Sequence, residues 1–429
     1  MLDIKLVREN PELIRDTLRK RNEKDKMKLL DEIIHNDKKY REMLQKAEKL
    51  KQQRNIISQE VSELKKKGKN VSEKLKEAEK IPPEIKKIED EISILKEHAD
   101  MNLLGLPNLL HDSATIGNSE EDNAEIRKFG EAPKFDFIPK NHAEVLTNLG
   151  LLDEERGSKV SGAGFFYLKG SLALLAQAII RFATDYMLKK GYTFVIPPYM
   201  LGKKAYVGAA DLTAFEEMLY KVEEEDLFLI ATAEQPLAAM FMNEVINKKD
   251  LPIKIFGFSP CFRKELGAHG KYTKGVFRVH QFHKIEQFIF CTPEDSWDLH
   301  EELQKNGEDF FKQLGLHIRT VNVCSAEMNR LAAKQYDIEF WMADEKFREI
   351  GSNSNCTDYQ ARRLNIRYRE KEGQAPAGFV HTINNTLVPT SRAIVAIVEQ
   401  YQQKDGTVLV PKVLLPYMNG IKKLEKSKS

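Results

Sequence analysis

A chain of 429 residues can bury a large core and has room for two or three domains. Its 41% hydrophobic and 31% charged content describes a soluble globular protein with one unusually polar region, and a net charge of +2 gives no global sign of a nucleic-acid partner. The four cysteines (Cys261, Cys291, Cys324, Cys356) show neither C-x-x-C nor zinc-like spacing, so buried or free thiols in a reducing compartment are expected. No secretory apolar segment follows the charged start MLDIKLVREN, and no apolar run reaches bilayer-spanning length. A cytoplasmic protein with no membrane partner is the expectation.

In chain order, the first strong pattern is a heptad stripe. Positions 29, 33, 36, 40, 43, 47, 50, 54, 57, 61 and 64 follow four–three spacing, with Asn36 and Arg54 the polar interruptions, which predicts a coiled-coil seam from Leu29 to Leu64. KKKGKN (Lys65–Asn70) breaks the stripe. A second one follows at Ile81, Ile85, Ile88, Ile92, Leu95 and Ala99. Neither helix can bury its stripe alone, so an antiparallel hairpin is expected. Proline inside a helix costs about 3 kcal/mol, so Pro82 and Pro83 place the start of the regular second helix near Pro83, with Val71–Lys80 a separate turn or short helix. Between Lys38 and Lys74 there are twelve Lys/Arg against five Asp/Glu, a local charge of +7 that leaves about −5 for the remainder. A purely structural or dimerising coiled coil fits this arm. The local charge tilts the reading towards an arm that binds a phosphate backbone.

LLGLPNLLHDSATIGNSEEDN (Leu103–Asn123) is turn-rich and polar. The domain reading is therefore residues 1–104 with the arm, a linker over 105–125, and a second domain over 126–429. In that second domain, SLALLAQAIIRFATDYMLKKG predicts an amphipathic helix closed by Gly191, and YTFVIPP a strand ended by prolines. DLFLIATAE, IKIFGFSPCF, VFRVHQFHKIEQFIF, LHIRTVNV and KFREIGSNSN read as strands; DSWDLHEELQKNGEDFFKQL and TSRAIVAIVEQYQ read as helices. Strands in blocks argue an α+β domain on an antiparallel sheet.

The chemistry concentrates in CFRKELGAHGKYTKGVFRVHQFHKIEQF (Cys261–Phe288), read as a strand, a basic glycine-rich loop and a returning strand. Alternation along the return would place Arg278, His280, Phe282, Lys284 and Glu286 on one face. That face is a poor core and a plausible floor for a charged planar ligand. Guanidinium binds phosphate bidentately and an aromatic ring stacks on a base, which suits ATP or another nucleotide. A solvated hairpin with ordinary surface ion pairs remains the alternative.

CFRKE…GVFRVHQFHKIEQF resembles motif 2 of the class II aminoacyl-tRNA synthetases. NNTLVPTSRAIVAIVEQYQ (Asn384–Gln402) is similar to their motif 3, and GYTFVIPPYM (Gly191–Met200) to their motif 1. With TAE at Thr232–Glu234, EIGSNSN at Glu349–Asn355, DYQARR at Asp358–Arg363 and the N-terminal arm, the resemblance is to the seryl-tRNA synthetase family and spans nearly the whole chain. It implies a six- or seven-stranded antiparallel catalytic sheet flanked by helices, a homodimer, ATP with Mg²⁺, and L-serine as amino acid. It also implies tRNA(Ser) bound through the coiled-coil arm and the motif 2 loop, with a selenocysteine tRNA charged where the cell has one.

The roles implied by the resemblance fall on named positions. Arg263 would hold the α-phosphate and the serine carboxylate. Glu265 would meet the adenine edge beside the backbone near Val279. Phe282 would stack under adenine, and Arg392 would cover its other face while reaching the γ-phosphate. Glu349 and Ser352 would hold ATP through Mg²⁺. Thr232, Ala233, Glu234, Glu286 and Thr386 would surround serine, with Glu286 and Thr386 nearest its hydroxyl. Arg263, Glu286 and Arg392 are thus the expected catalytic set. Departures fall at Leu387, Pro389 and Ser391, where motif 3 commonly carries glycine, and at Gly351, where serine is usual. Lys271, Tyr272 and Lys274 replace the commoner motif 2 loop residues. His283 stands at an acidic position, with its side chain expected to point away from Phe282 and Glu286. Two rival readings are a synthetase-like paralogue that charges a carrier protein, and a non-catalytic coiled-coil scaffold that binds nucleic acid.

Overall fold

The computed structural model describes residues 1–210, 218–265 and 275–426. They form two compact units, 1–107 and 108–429, each treated by itself.

The first unit opens with two short helices, Ile4–Glu9 and Pro11–Lys20, followed by α1 (Met27–Lys66) and α2 (Ser72–Leu104). Gly68, at φ +66°, makes the left-handed turn that KKKGKN predicts. Ile57, Val61, Ile81 and Ile85 bury one another near the tip, and Ile88 and Leu95 continue the seam. Lys39–Glu91 (2.7 Å), Lys51–Glu89 (2.6 Å) and Lys74–Glu60 (2.9 Å) bridge the two helices along its flanks.

Two expectations change here. The second helix is continuous from Ser72, with Pro82 and Pro83 inside it. Burial of Ile81 and Ile85 on either side of the prolines holds the helix through the two missing N–H donors. The seam also enters differently: Leu30, Ile33 and Asp37 are buried rather than Leu29 and Asn36. Arg8 (2.8 Å) and Arg41 (2.9 Å) close on Asp37. Burial alone would raise that carboxyl, but the two guanidinium groups overrule it and hold it below its ordinary value. Lys65, Lys66, Lys67 and Lys69 at the tip are exposed, and none has an ion pair among the described residues.

The second unit is built on an eight-stranded sheet. Its strands are β1 (Ala124–Phe129), β2 (Thr193–Val195), β3 (Ile253–Phe262), β4 (Gln281–Cys291), β5 (Ile318–Asn322), β6 (Lys334–Trp341), β7 (Phe347–Asn355) and β8 (His381–Pro389). The order is β1-β5-β6-β7-β8-β4-β3-β2. The resemblance implied six or seven antiparallel strands. The eighth arises because β1 pairs with β5, and the edge pair β2–β3 is parallel.

Helices α3 (Gly170–Lys189), α5 (Ser296–Gln313) and α6 (Thr390–Tyr401) bury the main core against one sheet face, with a short α4 (Glu234–Ala238) on the other. Strand β4 shows why. Its odd positions Ile285, Ile289 and Cys291 enter the main core, whereas Phe288 and Phe290 pack with Leu237 beside α4. The remaining even positions, 282, 284 and 286, are left for the site. Helix α3 corrects one expectation: its 20 residues are long and apolar enough to cross a bilayer. Leu172, Leu175, Ile179 and Ala183 are nevertheless fully buried in the core.

From Asn108 the chain runs against this sheet. The Asn108 amide donates to the carbonyls of Leu331 and Cys356 (2.9 Å each), and Thr115 bridges to Cys324.

Candidate active site

Arg263 leaves the end of β3 and turns back. Its backbone N–H donates to the carbonyl of His280 (2.9 Å), and its Nε to the carbonyl of Ala231 (3.2 Å). The guanidinium lies 5.3 Å from the Phe282 ring centroid. Arg392 comes from the first turn of α6, lies 5.1 Å from the Phe277 ring, and donates to the backbone carbonyl of Glu349 at 2.8 Å. Its guanidinium also reaches the Glu349 carboxylate at 3.2 Å. These groups open into one cleft, lined also by Glu265, Arg278, Val279, Lys284, Thr386, Pro389 and Ser391. Three arginines, two aromatic rings and a lysine around one space make a receptacle for a polyanion carrying a flat ring.

The alternation predicted for the return strand holds only in part. β4 begins at Gln281, so Arg278 and His280 precede it. Arg278 still lines the cavity, 3.8 Å from Glu265. His280 does not. Its Nδ1 donates to the carbonyl of Arg263 at 2.8 Å, and its ring stacks on Phe165. His283 faces the other way, as expected, stacked on Phe258 at 5.4 Å. Lys271, Tyr272 and Lys274 lie outside the described residues.

Below the arginines is a second, buried group. Register sets Thr386 opposite Glu286 across β8 and β4. The Thr386 hydroxyl donates to Glu286 Oε2 (3.3 Å), and Lys284 donates both to Thr386 Oγ1 (3.2 Å) and to the same carboxylate. Glu234, at the start of α4, accepts from Gln360 (3.0 Å) and Asn384 (3.2 Å). Burial, aided by the nearby Glu286 charge, pushes its carboxyl up to about 7. Thr232 is buried, its hydroxyl accepting from the Glu234 backbone N–H, and Ala233 is fully buried beside it.

Glu349 and Ser352 raise a geometric problem, because residues three apart on a regular strand face opposite ways. A bulge solves it. Glu349 pairs with Glu339 and Ser352 with Asp337, with Ile350 as the extra residue. Positions 337 and 339 share a face, so Glu349 and Ser352 do too. Burial works to raise the Glu349 carboxyl, but Arg392, Arg263 and Lys284 outweigh it and hold it low. Asp337 is pushed up to about 7 by burial and by Glu349. A 46% exposed carboxylate beside a serine hydroxyl offers hard oxygen donors, which fit Mg²⁺.

Thus Arg263, Glu265, Val279, Phe282, Glu349, Thr386 and Arg392 line the cavity. Thr232, Ala233, Glu234, Glu286 and Ser352 lie outside its lining; Glu286 is tied to it through Thr386 and Ser352 through the β6–β7 register. Sequence reasoning placed Lys284 on the right face without a role, and missed Phe277, Asp337, Gln360 and Asn384. Asp337 sits on a strand the sequence reading omitted. Phe277 belongs to no periodic pattern. The motif 3 departures are explained in part: Leu387 is a second bulge residue whose side chain enters the core, leaving Pro389 and Ser391 at the cavity wall. At Gly351 an added Cβ would lie 2.7 Å from the carbonyl oxygen of Thr386, so no side chain fits.

This sheet and cavity are those of a class II tRNA synthetase: residues 219–401 match the family model of the tRNA synthetase class II core domain (G, H, P, S and T), and residues 1–110 match that of the seryl-tRNA synthetase N-terminal domain. The serine–tRNA ligase of Methanocella arvoryzae is 48% identical over 425 residues, covering 99% of this chain and 100% of that one. The crystal structure of seryl-tRNA synthetase from Pyrococcus horikoshii complexed with ATP superposes with a TM-score of 0.97 at 46% identity over 100% of both chains. Cytoplasmic serine–tRNA ligase from Naegleria fowleri, in complex with AMP, gives 0.90 at 36% identity over 100% of this chain and 99% of its own. The chain belongs to the seryl-tRNA synthetase family.

Proposed function

We propose that the protein activates L-serine with ATP to seryl-adenylate and transfers the seryl group to tRNA(Ser). In the first step a serine carboxylate oxygen attacks the α-phosphorus and pyrophosphate leaves. In the second, a hydroxyl of the terminal adenosine attacks the seryl carbonyl and AMP leaves. Neither step needs a side-chain nucleophile; the first needs in-line placement at phosphorus, the second placement of the hydroxyl against the carbonyl face, and both need neutralised charge.

The observation that carries this reading is the convergence of Arg263, Phe282 and Arg392 on one cavity directly above the Glu286–Thr386 pair. Arg263 would bridge the α-phosphate and the serine carboxylate. Adenine would lie between Phe282 and Arg392, its edge read by Glu265 and the backbone at Val279. Ionised Glu234, with Thr232 and Ala233, would hold the serine ammonium, and Glu286 with Thr386 its hydroxyl. Glu349 and Ser352 would hold Mg²⁺, which supplies further neutralisation of the phosphates.

The exposed lysines of the arm tip suit the backbone of tRNA(Ser), with the loop between Glu265 and Gly275 expected at the acceptor end. A selenocysteine tRNA is the second expected acceptor. Phe194, Ile196, Tyr199 and Met200 are 38%, 64%, 37% and 46% exposed along and just beyond the edge strand β2, which supports a homodimer through this face. Amino-acid-dependent ATP–pyrophosphate exchange across a panel of amino acids tests the reading: serine alone should support fast exchange. Exchange with another amino acid, or none at all, would overturn it.

A further inference from the structure

Lys284 lines the nucleotide cavity but has been given no part in holding serine, although it is 6% exposed and sits between that cavity and the hydroxyl-facing pair. An ammonium has only donors to offer. One goes to Glu286 Oε2 and another to Thr386 Oγ1 at 3.2 Å. The single hydrogen of Thr386 is itself directed to Glu286 Oε2. Two of the three ammonium hydrogens are thus placed, one directly on the carboxylate and one on the hydroxyl that itself donates to it. Among the described residues no donor bonds the other oxygen, Oε1.

Two consequences follow. A ligand group that reaches Oε1 meets an acceptor and must bring a hydrogen to it. It also meets a pair whose charges cancel. A carboxylate alone in this place would attract a side-chain ammonium at least as strongly as a hydroxyl, whereas the paired carboxylate accepts a hydrogen bond without calling for a cation.

We propose that Lys284 is a specificity-determining positioning residue that makes the pocket a neutral acceptor, admitting a β-hydroxyl and refusing a β-ammonium. The inference rests on the reading that Glu286 and Thr386 receive the serine hydroxyl. The excluded compound is L-2,3-diaminopropionate, close to serine in size but cationic at the side chain. Refusal comes from the second cation already in place, since like charges brought together are strongly disfavoured.

The test is ATP–pyrophosphate exchange by the full-length protein with serine and with L-2,3-diaminopropionate. Lys284→Gln, which keeps two N–H donors but no charge, should raise the diaminopropionate-to-serine ratio of kcat/KM by about a hundredfold, mostly through KM. Lys284→Met should do the same with a larger rise in serine KM. Lys284→Arg keeps the charge and should keep the refusal, which shows that charge rather than packing is responsible. Should Lys284→Met fail to fold, the Gln and Arg pair carries the test. An unchanged ratio in Lys284→Gln, or a rise in ATP KM with no change in the ratio, would assign Lys284 to the phosphates and overturn the inference. A Glu286→Gln variant with unaltered serine KM would instead overturn the underlying reading of the pocket.

Discussion

In the arm, a thin line of Ile57, Val61, Ile81, Ile85, Ile88 and Leu95 is shielded by ion pairs on side chains that stay largely exposed. In the sheet domain the charges go inside: Glu286 and Lys284 are buried at 1% and 6% exposure, with Glu234 and the neutral Thr232 hydroxyl near them. Both regions are rich in Lys and Glu, and the difference lies in what surrounds them. Solvent-screened pairs on a helix contribute little to stability but leave free cations for a long, flexible polyanion. Buried pairs are held in fixed geometry by a rigid sheet and can discriminate a single small ligand.

That contrast is open to attack, most forcefully at Arg263. Arg263→Ala should lower serine-dependent exchange by about a thousandfold or more, since a donor aimed at developing charge in a dry site is lost. Arm-mediated tRNA binding, measured by filter retention, should be unchanged. Next, removal of Leu29–Ala99 should reduce tRNA charging by roughly a hundredfold while adenylate formation stays within a few-fold. Full charging by the truncated protein would deny the arm its role.

A third expectation concerns pH. Glu234 is neutral below about 7 and ionised above it, the raised value coming from burial and then from Glu286, against the opposing influence of Lys284 and Arg263. Only the ionised form can hold an ammonium. Serine kcat/KM should therefore rise by about tenfold from pH 6 to pH 8 and then level, and Glu234→Gln should flatten the profile. The smallest effects belong to the arm's surface. Lys51→Ala should change stability by at most about 1 kcal/mol, whereas Ile57→Ala in the seam should destabilise by about 2 kcal/mol or more in a denaturant melt.

The sequence was most informative where one periodicity ran unbroken. The second stripe of the arm and the helices α3, α5 and α6 came directly from spacing. It was least informative where a long-range partner decides the local structure. Pro82 and Pro83 argued for a break, and only the packing of Ile81 and Ile85 across the hairpin explains why none occurs. β1 and β6 mix charged and apolar residues with no clean alternation, and the former is further interrupted by a bulge near Arg127. Within the site, residue types were legible and their arrangement was less so. Spacing put His280 on the same face as Phe282, although the chain has not yet entered the strand there. Glu349 and Ser352, by contrast, lie an odd number of positions apart and still share a face, because Ile350 is accommodated as an extra residue.

The extra residue at Ile350 sets a rule for anyone rebuilding this strand. Straightening the pairing with β6 while Ile350 is retained would slide Glu349 from Glu339 to a place opposite Phe340 and turn it to the other face, whereas deleting Ile350 would leave Glu349 opposite Glu339 and on the face of Ser352. A transplant onto another scaffold must therefore carry the irregularity along with the side chains, since a tidier strand of identical composition would present the wrong half of its residues to the ligand.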